Sequence, residues 1–239
     1  MDRLVAGATK LGLGLSPQQL EQFQIFYREL VDWNRRFNLT AITEYEEVQM
    51  KHFLDSLTVT LALTPPTGGR DCRVIDVGTG AGLPGIPLKI LCPGIRLVLL
   101  DATAKKSTFL HHLKGELGLE DIEIVIGRAE EIAHLGEYRE RFDLVLSRAV
   151  ANLPALAELA LPFCAIGGSF IAQRKGAVEK EALEADKACR VLGGKLSEIK
   201  SIKLDELGDD RYLVVIDKIS PTPGKYPRRP GIPAKRPLV

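Results

Sequence analysis

Over the first quarter of the chain, apolar positions recur every three or four residues. Leu20, Phe23, Tyr27, Leu30, Val31 and Phe37 share one stripe, Ser16 stands as an N-cap before Pro17, and Gln19 completes a capping box, so a helix is predicted over 16–37. Its other face, with Arg28, Glu29, Arg35 and Arg36, is left to solvent. A second helix is predicted to start at Thr43, with Glu46 as capping partner, and to run through EEVQMKHFLDSLTVTLAL. TPPTGGR, residues 64–70, breaks the pattern as a linker or long loop.

Beyond it the rhythm changes to short apolar runs, RVIDV, IRLVLLD, IEIVIG, FDLVLSR and GSFIAQ, alternating with helical stretches such as TAKKSTFLHHLKGELGL. That alternation predicts an α/β protein with a parallel, doubly wound sheet. KLSEIKSIKL and RYLVVIDKI, joined only by DELGDD, read instead as an antiparallel hairpin. The closing ISPTPGKYPRRPGIPAKRPLV has a proline every few residues and is expected to be an extended arm, ordered only where something binds it. The expected organisation is an N-terminal helical extension (1–66), a core domain (67–218) and a C-terminal arm (219–239).

Composition changes this picture little. With 239 residues, 45% hydrophobic and 26% charged, the chain has an ordinary globular profile that excludes wholesale disorder. No run of about 18 apolar residues appears, and MDRLVAGATKLGLGL is too short and glycine-rich for a secretory core, so a cytoplasmic protein with no membrane partner is expected, as a monomer. Cys72, Cys92, Cys164 and Cys189 form no C-x-x-C pair, which suggests neither disulfide framework nor metal site. The net charge is +1, but the last 21 residues carry Lys225, Arg228, Arg229, Lys235 and Arg236 with no acid.

The chemistry gathers at VIDVGTGAGLPGIPL. In a doubly wound sheet the ligand lies beyond the carboxyl ends of the strands, where glycines let backbone approach it. A dinucleotide fingerprint needs a glycine at the sixth position of G-x-G-x-x-G, but Gly78-Thr79-Gly80-Ala81-Gly82-Leu83 has leucine there. No G-K-[ST] follows to make a Walker loop. Asp76 before the loop would repel a phosphate and hold an ammonium group, so a partly cationic ligand is expected. Asp101, at the end of the next strand, is placed to accept hydrogen bonds from both ribose hydroxyls of an adenosine, which suits NAD and S-adenosylmethionine alike. After the third strand, Glu130 and the backbone at Ala129 could meet the adenine edge.

An acid before G-x-G-x-G with a terminal antiparallel hairpin resembles the class I S-adenosylmethionine-dependent methyltransferases, a Rossmann-like fold with a mostly parallel seven-stranded sheet. The fourth strand gives FDLVLSRAVANLP, with no D/N-P-P-aromatic tetrad for exocyclic amines and no cysteine to attack a pyrimidine; Arg148 stands there instead. Guanine N7 has an in-plane lone pair and no proton to lose, so methyl transfer to it needs alignment rather than a base. Arg148 is expected to position the cofactor or guanine O6. WNRRFNLTAIT, HFLDSL, DVGTGAGLPGIPL, SRAV, the Lys175-Gly176 pair and KYPRRPGIPAKRPL, in that order, are together similar to the bacterial 16S ribosomal RNA guanine-N7 methyltransferases, also called glucose-inhibited division protein B. The resemblance spans Leu30 to the C-terminus. It implies S-adenosylmethionine as cofactor, 16S rRNA or the small ribosomal subunit as partner, and cofactor contacts at Gly78, Leu83, Asp101, Ala102, Thr103, Ala129, Glu130 and Arg148, beside Asp76, Gly80 and Gly82 read from the loop. An NAD-dependent oxidoreductase, a methyltransferase on another RNA and a non-catalytic RNA-binding assembly factor are the alternatives.

RNA contacts are expected from Arg35, Arg36 and Asn38, from Lys105 and Lys106, from Arg174 and Lys175, and from the five basic residues of the arm. His52, Asp55 and Ser56 share one helix face. A nucleophilic serine sits on a strained turn rather than next to its acid in a helix, so these three are expected to fix the extension to the core rather than to form a triad. Trp33 is expected to be a packed aromatic.

Overall fold

A computed structural model describes residues 1–63, 71–148, 151–176 and 178–238. The linker expected at 64–70 lies outside them, as do Ala149 and Val150 of the SRAV stretch. The chain opens with helix α1 (Asp2–Lys10), which the sequence reading did not assign, followed by α2 (Pro17–Phe37). The capping box at the start of α2 is present as expected. α3 (Tyr45–Val48), a π-helical stretch Gln49–Leu54, α4 (Asp55–Leu57) and a 3₁₀ segment Thr58–Ala62 then run on without a break. Here the N-cap is Glu44, one residue later than expected, because its side chain reaches the Glu47 N–H at 2.8 Å.

The sheet follows: β1 (Arg73–Val77), α5 (Gly85–Leu91), β2 (Arg96–Asp101), α6 (Ala104–Glu116), β3 (Ile122–Ile126), α7 (Ala129–Ile132), β4 (Phe142–Arg148), α8 (Leu153–Ala160), β5 (Cys164–Lys175), α9 (Val178–Val191), β6 (Gly194–Ile202) and β7 (Arg211–Lys218). Strand order is β3-β2-β1-β4-β5-β7-β6, with β7 inserted antiparallel between β5 and β6. The sheet therefore grows outward in both directions from β1 and β4, and the crevice beyond their carboxyl ends is the switch point where such sheets bind ligands.

Both faces are covered, which explains why the strands read as nearly continuous apolar runs. Val74, Leu97, Leu99, Leu144, Leu146, Ile171, Leu213 and Val215 pack under α1, α2, the 45–57 segment, α5 and α6. Ile75, Val77, Val145, Phe170, Ala172, Val214 and Ile216 pack under α8 and α9. Phe23 and Phe26 of α2 flank Phe53, at ring separations of 5.0 and 5.1 Å. Trp33 lies against Phe37, Phe109 and His112, as expected of a packed aromatic. α1 is short and glycine-bearing, so its sequence signal is weak, yet Gly7 belongs there. A Cβ at that position would fall 2.3 Å from Leu54 Cδ2.

The C-terminal segment departs from the expectation of an arm ordered only by a ligand. It folds back onto α7 and α8 and ends in a short helix, α10 (Ile232–Lys235). The reason is electrostatic: Glu158, fully buried in an otherwise apolar α8, accepts from Arg228 N at 2.8 Å, Nε at 2.9 Å and Nη2 at 2.6 Å. A buried carboxylate requires such a partner. Arg139 adds donors to the carbonyls of Tyr226 and Thr222, and the Gly231 N–H donates to Glu130 Oε1 at 2.9 Å. Among the described residues no helix is long and apolar enough to cross a membrane.

Arg228→Ala leaves the buried Glu158 charge without its guanidinium and with only the backbone N–H of residue 228, a loss of about 3 kcal/mol. Urea unfolding should show that loss, and limited proteolysis should cut within residues 219–238. Unchanged stability and an uncut segment would refute the anchoring role.

Candidate active site

β1 delivers Asp76 to the root of the glycine loop. Asp76 is fully buried; its Oδ2 accepts from Thr79 Oγ1 at 2.7 Å and from Gly85 N at 2.9 Å, so it closes the loop on itself and fixes the start of α5. Gly78, Gly80 and Gly82 all lie at positive φ, 74°, 60° and 88°, where a side chain is strained. The N–H groups of Gly78 and Thr79 donate to Leu100 O on the neighbouring strand, and that of Gly80 to Asp101 Oδ2 at 2.9 Å. Asp101 also accepts from Thr103 N at 2.9 Å and from Lys106 Nζ at 3.4 Å.

A cavity of about 410 Å³ lies over this frame, lined by Gly78, Thr79, Gly80, Ala81, Leu83, Asp101, Ala102 and Lys106, with Leu39, Thr40 and His52 from the helical extension and Arg148 from β4. Of the predicted cofactor residues, the structure thus brings Gly78, Gly80, Leu83, Asp101, Ala102 and Arg148 together around one cavity. It sets Asp76 beneath the loop. Gly82 packs inward, where a Cβ would come within 2.6 Å of Ile86 Cγ1. Thr103 supports Asp101 through its backbone, and Glu130 is tied to Gly231. Leu39, Thr40 and His52 were not expected here, because only tertiary packing brings the π-helical stretch over the loop.

His52 is buried, its Nε2 lying 2.7 Å from Thr40 Oγ1 and its Nδ1 3.2 Å from Lys51 O. The Lys51 carbonyl can only accept, so Nδ1 carries the proton and Nε2 takes the Thr40 hydroxyl. Burial, reinforced by the nearby Arg148 guanidinium, lowers the imidazole to about 4. Burial likewise raises the Asp76 carboxyl to about 6, against its bonds to Thr79 and Gly85.

A second cavity of about 310 Å³ shares Arg148 and is lined by Asp55, Ala151, Gln173, Arg174, Lys175 and Arg211. Asp55 Oδ2 accepts from Arg148 Nη1 at 3.1 Å and Oδ1 from Arg211 Nε at 3.0 Å, while Ser56 Oγ merely donates to His52 O. His52, Asp55 and Ser56 are therefore not a triad. Asp55 fastens the extension to the sheet instead.

The predicted RNA-facing residues divide. Arg35, Arg36, Asn38, Lys105, Lys175, Lys225, Arg229, Lys235 and Arg236 are exposed, with Arg35 and Arg36 both near Asp32. Lys106 leans on Asp101. Arg174 is held by both Glu181 oxygens and Ala151 O, and Arg228 by Glu158, so these two serve the fold.

The strand order and the loop-and-acid cavity are those of the class I methyltransferase fold. Solved structures agree on the fold: a Methanococcus jannaschii fibrillarin pre-rRNA processing protein matches with TM-score 0.52 at 16% identity over 66% of this chain and 71% of that one. TYW2 of M. jannaschii in complex with AdoMet matches with TM-score 0.50 at 16% identity over 63% and 70%. The model of the family described as rRNA small subunit methyltransferase G matches residues 19–212, and the chain belongs to that family. Ribosomal RNA small subunit methyltransferase G of Dehalococcoides mccartyi is 52% identical over 239 residues, the whole of both chains. That of Pelotomaculum thermopropionicum is 47% identical over 232 residues, 97% of this chain and 96% of that one.

The two shifted groups oppose each other in acid. Asp76 binds its proton more tightly when folded, so its contribution to stability is full below about pH 4 and is lost as pH rises through 6. His52 favours its neutral form when folded, so its contribution is full above 6.5 and is lost as pH falls toward 4. Asp76→Asn removes one slope. Between pH 4 and 7 the stability of wild type minus variant should fall by about 2–3 kcal/mol as pH rises, measured by urea unfolding. A pH-independent difference would show that this carboxyl titrates normally.

Proposed function

We propose that this chain transfers a methyl group from S-adenosylmethionine to N7 of a guanine in 16S ribosomal RNA. The observation that carries the reading is the cavity over the glycine loop, which offers acid and open backbone to a cationic nucleoside but, among the described residues that line it, no uncommitted base to an acceptor. A Cβ built at Gly80 meets nothing closer than Lys106 Nζ at 3.9 Å, so the loop's backbone faces open space. Two carboxylates, Asp76 below and Asp101 beside it, favour positive charge there. Asp76 Oδ1 is buried without a partner among the described residues. The residues therefore fit this cofactor: Asp101 for the ribose hydroxyls, Gly78 and Gly80 backbone against the amino-acid end, Leu83 and Ala102 along the apolar surfaces.

S-adenosylmethionine, when bound, supplies a methyl group on a positively charged sulfur. The chain's own work is orientation. His52 is neutral but its Nε2 already takes a hydroxyl proton from Thr40, and Asp101 accepts three N–H donors. Neither is free to remove a proton, and N7 has none to remove. Holding the acceptor in line with the transferred carbon then provides the rate, a contribution that can reach about 7–11 kcal/mol. Arg148, which lines both cavities, stands where cofactor and base would meet. The exposed cations Arg35, Arg36, Lys105, Lys175, Lys225, Arg229, Lys235 and Arg236 suit phosphate contacts on a structured RNA.

With small-subunit particles that lack the modification, tritiated methyl should pass to 16S RNA, and borohydride–aniline cleavage should map it to a 7-methylguanine. Methyl incorporation without cleavage would place it on another atom, and binding without incorporation would favour an assembly factor. Asp101→Ala should weaken S-adenosylmethionine binding about 10- to 100-fold. Unchanged affinity by calorimetric titration would refute the ribose placement.

A further inference from the structure

The second cavity carries a hydrogen-bond imbalance that the fold leaves open. Two residues of its lining each carry a buried side-chain atom with no partner among the described residues: Gln173 Oε1, an acceptor, and Arg211 Nη2, a donor. Their side chains are 6% and 3% exposed. Buried polar groups are normally paired, so two unpaired groups in the lining of one cavity are an imbalance that a ligand bringing one acceptor and one donor would relieve. Their orientations are fixed by what they already hold. Gln173 Nε2 donates to Asp55 O at 2.6 Å and to Thr58 Oγ1 at 3.1 Å, and since the Asp55 carbonyl can only accept, the amide cannot turn round. Arg211 commits Nε to Asp55 at 3.0 Å and Nη1 to Asp209 at 3.2 Å, leaving Nη2.

The register sets these groups in a row. Arg148 of β4 pairs with Gln173 of β5, and Lys175, two residues on and on the same face, pairs with Arg211 of β7. A phosphate would satisfy half of the imbalance, accepting from Arg211 but bringing no proton to Gln173. We infer that this cavity receives the Watson–Crick edge of the target guanine, Arg211 Nη2 donating to O6 and Gln173 Oε1 accepting from N1–H. The inference rests on the methyl-transfer reading above and adds the groups that select the base. N7 lies on the other side of O6 from N1, so with N1 set inward the atom to be methylated stands at the mouth of the pocket, and Arg148 in the lining of both cavities marks the boundary. Adenine in the same place would set its amino group against a guanidinium, donor against donor. Enzymes that modify a base commonly take it out of the stack and read this edge.

The test uses the full chain and undermethylated small-subunit particles carrying guanine, inosine or 2-aminopurine at the mapped position. Inosine keeps O6 and N1–H; 2-aminopurine keeps N7 but lacks both. Single-turnover rates should place inosine within about tenfold of guanine and 2-aminopurine at least about 100-fold lower. In Arg211→Lys and in Gln173→Leu, guanine should fall toward 2-aminopurine, bringing their ratio to within about tenfold. A ratio compares two substrates on one protein preparation, so partial unfolding of a variant cancels, and comparing the wild-type ratio with the variant ratio cancels the intrinsic difference in N7 reactivity between the bases. Equal rates with guanine and 2-aminopurine in wild type, or a preference that both variants retain in full, would overturn the base-reading role while leaving N7 transfer intact. Failure to methylate guanine itself would sink the underlying reading, and this inference with it.

Discussion

The carboxylate of Asp55 holds Arg148 on one oxygen and Arg211 on the other, at 3.1 and 3.0 Å, and its backbone carbonyl takes the amide of Gln173. One residue of the N-terminal helices thus grips β4, β5 and β7 at the edge of the sheet where ligands lie. All three partners are buried or nearly so, with side-chain exposures of 4% for Asp55, 3% for Arg211 and 16% for Arg148. Such an arrangement contributes little net stability, because desolvating three charges offsets most of their attraction. Its effect is on geometry. The two guanidiniums are long, flexible groups, and the shared anion leaves each with a single direction to face. His52, three residues earlier, is carried over the glycine loop by the same helical segment, so both cavities depend on how that segment is seated.

Three more buried carboxylates follow one rule, each closing a different loop of chain, and a fourth, Glu130, joins Glu158 on the C-terminal segment. Asp76 closes the glycine turn through Thr79 and Gly85; Asp101 ties that turn to the head of α6 through Gly80 and Thr103; Glu158 draws the C-terminal segment back through Arg228. Irregular backbone cannot satisfy its own N–H groups as helices and strands do, and these acids accept the donors left over. The sites of greatest irregularity are therefore the sites of buried acid.

What could be read from the sequence divides along distance. The strands, the capping box at Ser16 and the glycine loop were legible because their causes are local: period, cap spacing, and positive φ at Gly78, Gly80 and Gly82. Asp101 was legible because topology alone fixes it at a strand end beside the loop. Asp55 could be assigned an anchoring task but not its partners, which lie 93 and 156 residues away. The C-terminal segment was misread for the same reason. Its prolines argue locally for an extended arm, whereas the groups that hold it, Glu158 and Glu130, are 70 and 101 residues distant. The one local hint was Glu158 itself, an acid in the apolar run LPALAELALPF that had to find a cation. α1 gave even less, since Gly7 lowers helix propensity and only the approach to Leu54 explains it.

The two cavities share Arg148 but differ in the charges set around them, and that difference bears on turnover in the proposed reaction. Asp101, paired with Lys106, stands on the loop side with Asp76 beneath it, whereas Lys175 and Arg211 stand on the other with Asp55, and Arg148 lines both. Arg174 adds nothing to that side because Glu181 neutralises it with two bonds. Methyl transfer to N7 moves one positive charge from the acid side to the basic side. The demethylated cofactor, now neutral, loses its attraction to the carboxylates, and the methylated base, now cationic, meets guanidiniums. Both products are held less firmly than the substrates that formed them. The same arrangement would oppose the forward step were the basic side unrelieved, and Asp55, sitting between the guanidiniums, relieves it. A reaction that needs no base would still need its charges arranged, and in the proposed reaction this arrangement would favour arrival of a cationic donor and departure of a cationic product.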